Sequence, residues 1–234
     1  MTSSTSVAMT TYPASFASDD LVRRVAANLA EVRARIISSG RALESVRIVA
    51  VTKTFGPEFV RAASEVGLRT VGENYVDELS EKKAATTTLG LAWFYLGALQ
   101  SNKIRRLVSI ADVLCAVSRV KEIERIARER SGMAIYVQVD CTGAPARNGA
   151  PPGEVAELVE HGRARGLDVR GLMTVAPQEV RGAREAFHIT DQLANELNVV
   201  ERSMGMSDDL ELACELGTTE VRVGRALFGP RTGA

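Results

Sequence analysis

Residues 46–72 read VRIVAVTKTFGPEFVRAASEVGLRTVG, and the order of patterns in this stretch decides the fold. Val46 to Val51 is a short apolar run rich in β-branched residues, the signature of a buried strand. Gly56-Pro57 interrupts the chain and opens a helix, since proline is tolerated in a first helical turn. Phe59, Ala62, Ala63 and Val66 then recur at helical spacing up to Gly67, and a second strand follows at Arg69 to Gly72. A strand, a helix and a further strand at this spacing form a parallel crossover unit.

The unit repeats toward the C-terminus. A helix is expected after Glu73, a strand at Ala92 to Gly97 with a helix after Ala98, and a strand at Asp112 to Val117 with a helix from Ser118. Met133 to Asp140 forms the fifth strand, followed by a polar loop and a helix opened by Pro151-Pro152; Val169 to Val175 forms the sixth, with a helix from near Pro177. Two weaker strands, Ser203 to Met206 and Glu220 to Val223, are separated by a helix from Asp208. Eight strands alternating with helices predict a single α/β domain, a closed (β/α)8 TIM-type barrel; an open doubly wound sheet is the alternative. Toward the N-terminus, Ser18 can cap an extra helix on which Val22, Val25, Leu29, Val32 and Ile36 recur and which Gly40 stops. Residues 1–17, rich in Ser, Thr and Ala, are expected to be a flexible tail, and 18–234 the barrel domain.

Composition narrows the function. Lys+Arg and Asp+Glu each number 29, for a net charge of +0, and no long basic run offers a footprint for nucleic acid. The 3 cysteines contain no C-x-x-C pair and only 2 histidines accompany them, which argues against a zinc site or a disulfide scaffold. The longest apolar stretch, Leu89 to Leu99, is far shorter than the roughly 20 residues of a membrane span. With neither a secretory nor a transit pattern at the N-terminus, a cytoplasmic protein is expected, and a monomer.

Lys53 continues the period-2 side of Val49 and Val51, so in a barrel it points in at the C-terminal rim, where active sites lie. Poor hydration there favours the neutral amine, which can attack a carbonyl and form an imine. The loops after the seventh and eighth strands, Ser203-Met204-Gly205-Met206-Ser207 and Arg222-Val223-Gly224-Arg225, occupy the positions that commonly bind phosphate in barrels. Gly205 and Gly224 allow close backbone approach and Ser207 offers a hydroxyl. An imine-forming lysine facing a phosphate cradle suits pyridoxal 5′-phosphate, and equally a phosphosugar aldolase.

Six strings in order separate these two. Val51-Thr52-Lys53-Thr54, Gly72-Glu73-Asn74-Tyr75-Val76, Leu96-Gly97-Ala98-Leu99-Gln100-Ser101-Asn102-Lys103, Gly171-Leu172-Met173-Thr174, Ser203-Met204-Gly205-Met206-Ser207-Asp208-Asp209 and Val221-Arg222-Val223-Gly224 together resemble the YggS/PROSC family of pyridoxal-phosphate homeostasis proteins. The resemblance runs from about Leu21 to Gly229 and implies a barrel like the N-terminal domain of alanine racemase, the lysine of the cofactor's Schiff base being Lys53. It implies further that Ser207, Gly224 and Arg225 hold the phosphate, that Arg222 faces the pyridine nitrogen, and that Asn74, Met173 and Met204 line the ring pocket. An always-charged guanidinium against that nitrogen disfavours its protonation and weakens the ring as an electron sink. The chain departs from the family pattern at Trp93-Phe94-Tyr95, where a Trp-His-Phe is expected, and at Val117-Ser118, where an Asp-Ser is expected.

A racemase of this type needs a second acid–base group facing Lys53, which here would fall to Tyr75, Tyr95 or Tyr136, or to a partner subunit; His161 and His188 lie in helices outside every matched string. The expected function is therefore a non-enzymatic carrier that holds pyridoxal 5′-phosphate on Lys53 and supplies it transiently to apo-enzymes, with a racemase-like enzyme of low activity as the alternative.

Overall fold

The computed structural model describes residues 17–144 and 147–230. Eight parallel strands close into a barrel in sequence order: β1 Arg47–Val51, β2 Thr70–Glu73, β3 Ala92–Tyr95, β4 Val113–Val117, β5 Ala134–Val139, β6 Asp168–Thr174, β7 Glu201–Ser203 and β8 Glu220–Val223. The helices are α1 Asp19–Ser38, α2 Pro57–Glu65, α3 Val76–Ala85, α4 Ile104–Ile110, α5 Val120–Glu129, α6 Val155–Ala164, α7 Val180–Glu196, α8 Leu210–Glu215 and α9 Arg225–Phe228. Closed-barrel topology settles the choice against the open sheet. Residues 1–16 of the expected tail lie outside the described residues, while Ala17 is buried against the apolar layer that α1 completes. No described helix is long and apolar enough to cross a membrane.

Alternation along β1 sorts its side chains into two layers. Val49 packs inside the barrel with Phe94, Val113, Cys115, Tyr136 and Met173, while Ala50 faces the helices with Val221 and Val223. Gly72 sits on the inner side, where a Cβ would lie 2.6 Å from Leu96 Cδ1 and 3.0 Å from Val49 Cγ1, so a larger residue there would have to displace the Leu96 side chain. Outside the barrel, α1 begins where Ser18 Oγ accepts the Leu21 amide at 3.2 Å and buries Leu21, Val25, Leu29, Val32 and Ile36.

Four expected boundaries move. Strand β7 lies at Glu201–Ser203, ahead of the expected 203–206, because Glu201 turns its carboxylate into the barrel, where Arg47 and Tyr136 bind it; that pattern of charge hides a strand. Helix α5 starts at Val120, after Glu122 has folded back to accept the amides of Ser118 (2.8 Å) and Arg119 (3.2 Å). Helices α4 and α8 begin at Ile104 and Leu210, later than expected, because hydrogen-bonded turns occupy the residues between strand and helix.

Candidate functional site

The C-terminal ends of the strands surround a cavity of about 830 Å³. Its position follows from the closure of the barrel, since β1 pairs with β8 in the register Val49↔Arg222 and Ala50↔Val223. Residues just beyond those strands, Lys53 on one side and Gly224 and Arg225 on the other, therefore share one rim. Lys53 is half-buried and lines the cavity with Val51, on the side the alternation predicts.

The loop after β7 brings Ser207 to the cavity that Lys53 also lines. Gly205 makes the turn at φ +90°, and a Cβ there would fall 2.5 Å from Ala213 Cβ, so both conformation and packing select glycine. The Ser207 hydroxyl accepts the Ala226 amide at 3.2 Å and its carbonyl accepts Arg35 Nη2 at 2.9 Å, so the hydroxyl is set between the loop and the first turn of α9. Arg35 in turn holds Glu211 through its Nε (2.5 Å) and Nη2 (2.7 Å). That hydrogen bond lowers the Glu211 carboxyl pKa and raises that of Arg35. Arg225, exposed at the mouth, pairs with Asp208.

The floor is cationic. Arg222 is buried, and its Nη1 donates to Ser203 O (2.5 Å) and Ser203 Oγ (2.9 Å) while Nη2 donates to Thr174 O (2.7 Å). Burial lowers its pKa, and the nearby Glu220 opposes that shift. Ser203 Oγ donates to Glu220 Oε1 at 2.6 Å, and Glu220 Oε2 meets Arg47 at 3.1 Å and Tyr136 at 3.3 Å, so a polar column runs down the barrel interior from the cavity floor. Burial raises both Glu220 and Tyr136.

Of the eight residues singled out in the sequence, seven line this cavity: Lys53, Asn74, Met173, Ser207, Arg222, Gly224 and Arg225. The eighth, Met204, does not; it is fully buried among Ala176, Ala183, Ala186, Phe187 and Ala213, and Met206 stands at the wall instead. The reason is geometric, since the turn at Gly205 points the residues on its two sides in different directions. Arg35 escaped sequence reading because nothing in the helix pattern marks a contact with a loop so distant in sequence.

None of the three tyrosines considered as a second acid–base group lines the cavity. Tyr136 lies in the polar column inside the barrel, Tyr95 is buried with its hydroxyl pushed up by that burial, and Tyr75 is exposed. His161 is bound to Glu124 at 2.7 Å on the outer helices, and His188 is exposed on α7. Phe94, at the first departure from the family pattern, fills the barrel interior edge-on to Tyr136 with Arg47 over its face at 5.8 Å, and Val117 is wholly buried.

The model of the family "Alanine racemase, N-terminal domain" matches residues 22–232. The chain is 37% identical over 220 residues to the pyridoxal phosphate homeostasis protein of Pseudomonas aeruginosa, covering 88% of this chain and 96% of that one. The chain belongs to the pyridoxal phosphate homeostasis protein family. The human protein of that family is 34% identical over 210 residues, 79% of this chain and 76% of the relative. Among solved structures, PipY of Synechococcus elongatus with PLP bound superposes with a TM-score of 0.76 at 33% identity, covering 88% of this chain and 100% of PipY. The family's barrel and the closed barrel found here are one architecture.

Proposed function

We propose that the chain binds pyridoxal 5′-phosphate in this cavity as a Schiff base on Lys53 and regulates its supply to apo-enzymes, without turnover of its own. The observation that carries this reading is the convergence of a half-buried primary amine, Lys53, with Ser207, Gly224 and Arg225 on one cavity wall built by the β1–β8 seam. Membership of the family and the PLP-bound PipY support it.

The residues fit the group. Gly224 keeps the wall open beside β1, where a Cβ would approach Val51 O to 3.2 Å. Ser207 supplies a hydroxyl, Arg225 a cation at the mouth, and Met173 and Asn74 an apolar and a polar wall. When bound, the cofactor offers an aldehyde that condenses reversibly with an amine, releasing one water and needing no oxidant or reductant. Lys53 would supply the amine through Nζ, its two N–H protons leaving with that water. Arg222, held by three acceptors on the floor, keeps its charge and opposes protonation of any ring nitrogen brought against it, which damps carbanion chemistry. Two-base racemisation requires a second acid–base group, and among the described residues no tyrosine or histidine lines the cavity.

The test is the visible spectrum of the purified protein with pyridoxal 5′-phosphate, before and after borohydride, beside Lys53→Ala. A Schiff-base band that borohydride fixes on Lys53 and that the variant lacks is expected, with no racemisation of amino acids at an ordinary enzymatic rate of about 1 per second or more. An identical spectrum for the two proteins would sink the Lys53 assignment, and racemisation at that rate would sink the carrier reading.

A further inference from the structure

Behind the Lys53 turn, on the side away from the cavity, lies a buried ionic cluster that the site described above does not use. Lys82 on α3 is 3% exposed and Glu73 at the end of β2 is 0% exposed. Lys82 Nζ donates to Glu73 Oε1 (2.7 Å), Glu78 Oε2 (2.6 Å) and the carbonyl of Thr52 (2.7 Å). Thr52 Oγ1 donates to Glu73 Oε1 at 2.6 Å, and the amide of Thr54 donates to Glu78 Oε2 at 2.8 Å. Three of these five bonds end on Thr52 or Thr54, the two residues that flank Lys53.

Thr54 itself has φ +68°, a left-handed conformation that costs a β-branched residue energy and persists only where surroundings impose it. Its side chain is exposed, so packing does not impose it; the turn bond from Phe55 N to Thr52 O (3.0 Å) and the bond from Thr54 N to Glu78 are the restraints there. Burying an ammonium and a carboxylate is a poor route to stability, because desolvation offsets most of their attraction. Glu73 Oε2 is buried with no hydrogen-bond partner among the described residues. What such a cluster supplies is a fixed geometry, here at both peptides next to one lysine.

We propose that Lys82, Glu73 and Glu78 are positioning residues that hold the Thr52–Thr54 turn so that Lys53 Nζ is presented to an aldehyde in the cavity. This rests on the function proposed above. Lys82, Glu73 and Glu78 do not line the cavity, and none of their side-chain bonds above reaches Ser207, so the cluster acts on covalent capture and not on phosphate recognition.

The experiment separates the two by using pyridoxal 5′-phosphate, which can condense with Lys53, and pyridoxine 5′-phosphate, which has no aldehyde. Lys82→Met and Glu78→Ala are expected to lower the Schiff-base equilibrium constant, read from the absorbance band, by about tenfold, and to shift the pH profile of that band. Affinity for pyridoxine 5′-phosphate, read by calorimetry, is expected to stay within twofold of wild type. Adding Thr54→Gly to Glu78→Ala should recover part of the loss, because glycine takes positive φ without strain. Glu78→Ala carries the test if Lys82→Met does not fold, since Glu78 is partly solvent-exposed. An unchanged band in Glu78→Ala, or an equal loss of both ligands, overturns the proposal. A wild type that binds pyridoxine 5′-phosphate but forms no Schiff base overturns instead the reading on which it rests.

Discussion

Glu220 occupies a position that an apolar strand pattern would give to a hydrophobe, wholly inside the barrel and one residue pair below Arg222. Burial raises its carboxyl pKa above the ordinary value of about 4.3, against the opposing pull of Ser203, Arg47 and Arg222. The folded state thus binds this proton more tightly than the unfolded chain does. Its contribution to stability is full below the unfolded pKa and is lost as pH rises through the folded one. Glu220→Gln removes that titration. We expect urea unfolding across a pH series to show a flatter decline above about pH 4.3 in the variant than in wild type. The slope is the observable, because the lost bond to Arg47 lowers stability at every pH; parallel curves would refute the assignment. Neither Glu220 nor its companion Glu201 was legible as an interior residue, since sequence patterns place charges outside, and it takes the contacts with Arg47, Tyr136 and Ser203 to compensate them here. Lys53 was legible because its rule is simple: two residues past an inward valine, a side chain points inward again.

At the scale of elements, the strands other than β7 and the long helices were legible because their periods are unbroken, as along Leu21, Val25, Leu29, Val32 and Ile36 of α1. The short helix α8 was misplaced because Asp209 first closes a turn by accepting the Met206 amide at 2.6 Å, and the helix begins only after it. What no pattern reveals is that α1 is part of the site. Its Arg35 reaches from the outer layer to the Ser207 carbonyl and to Glu211, tying the loop after β7 to α8. Arg35→Met keeps the aliphatic stem and deletes the clamp. We expect affinity for pyridoxine 5′-phosphate to fall about three- to tenfold, roughly 0.7–1.4 kcal/mol, while the melting temperature changes little, since the pair is partly solvent-exposed. Because Arg35 holds the Glu211 carboxyl below its usual range, the contact is present above the ordinary carboxylate pKa and is lost as pH falls through the folded one. Wild-type affinity should therefore drop toward that of the variant in acid. A calorimetric titration in which Arg35→Met matches wild type at neutral pH would remove α1 from the site.

The whole molecule decides what binding does to stability. The lysine arises at the end of the first strand and the phosphate loops from the last two, and only closure of β1 onto β8 brings them to one wall. A ligand that touches both sides of this seam binds the closed barrel and not an opened one, so its binding energy adds to global stability and not to one loop. At a ligand concentration about one hundred times Kd, the gain is about 2.7 kcal/mol. For a chain of this size that corresponds to a rise in melting temperature of roughly 5–11 °C. Lys53→Ala should keep part of the rise, through the loops after β7 and β8, and lose the part that bridges to β1. Hydrogen exchange gives the sharper check. With pyridoxal 5′-phosphate bound, amide protection should increase together in β1 and β8 of wild type, whereas in Lys53→Ala it should increase in β8 and leave β1 near its ligand-free value. Protection confined to the loops in wild type, with both seam strands unchanged, would show that the ligand does not bridge the closure and that Lys53 and the phosphate loops act as separate sites.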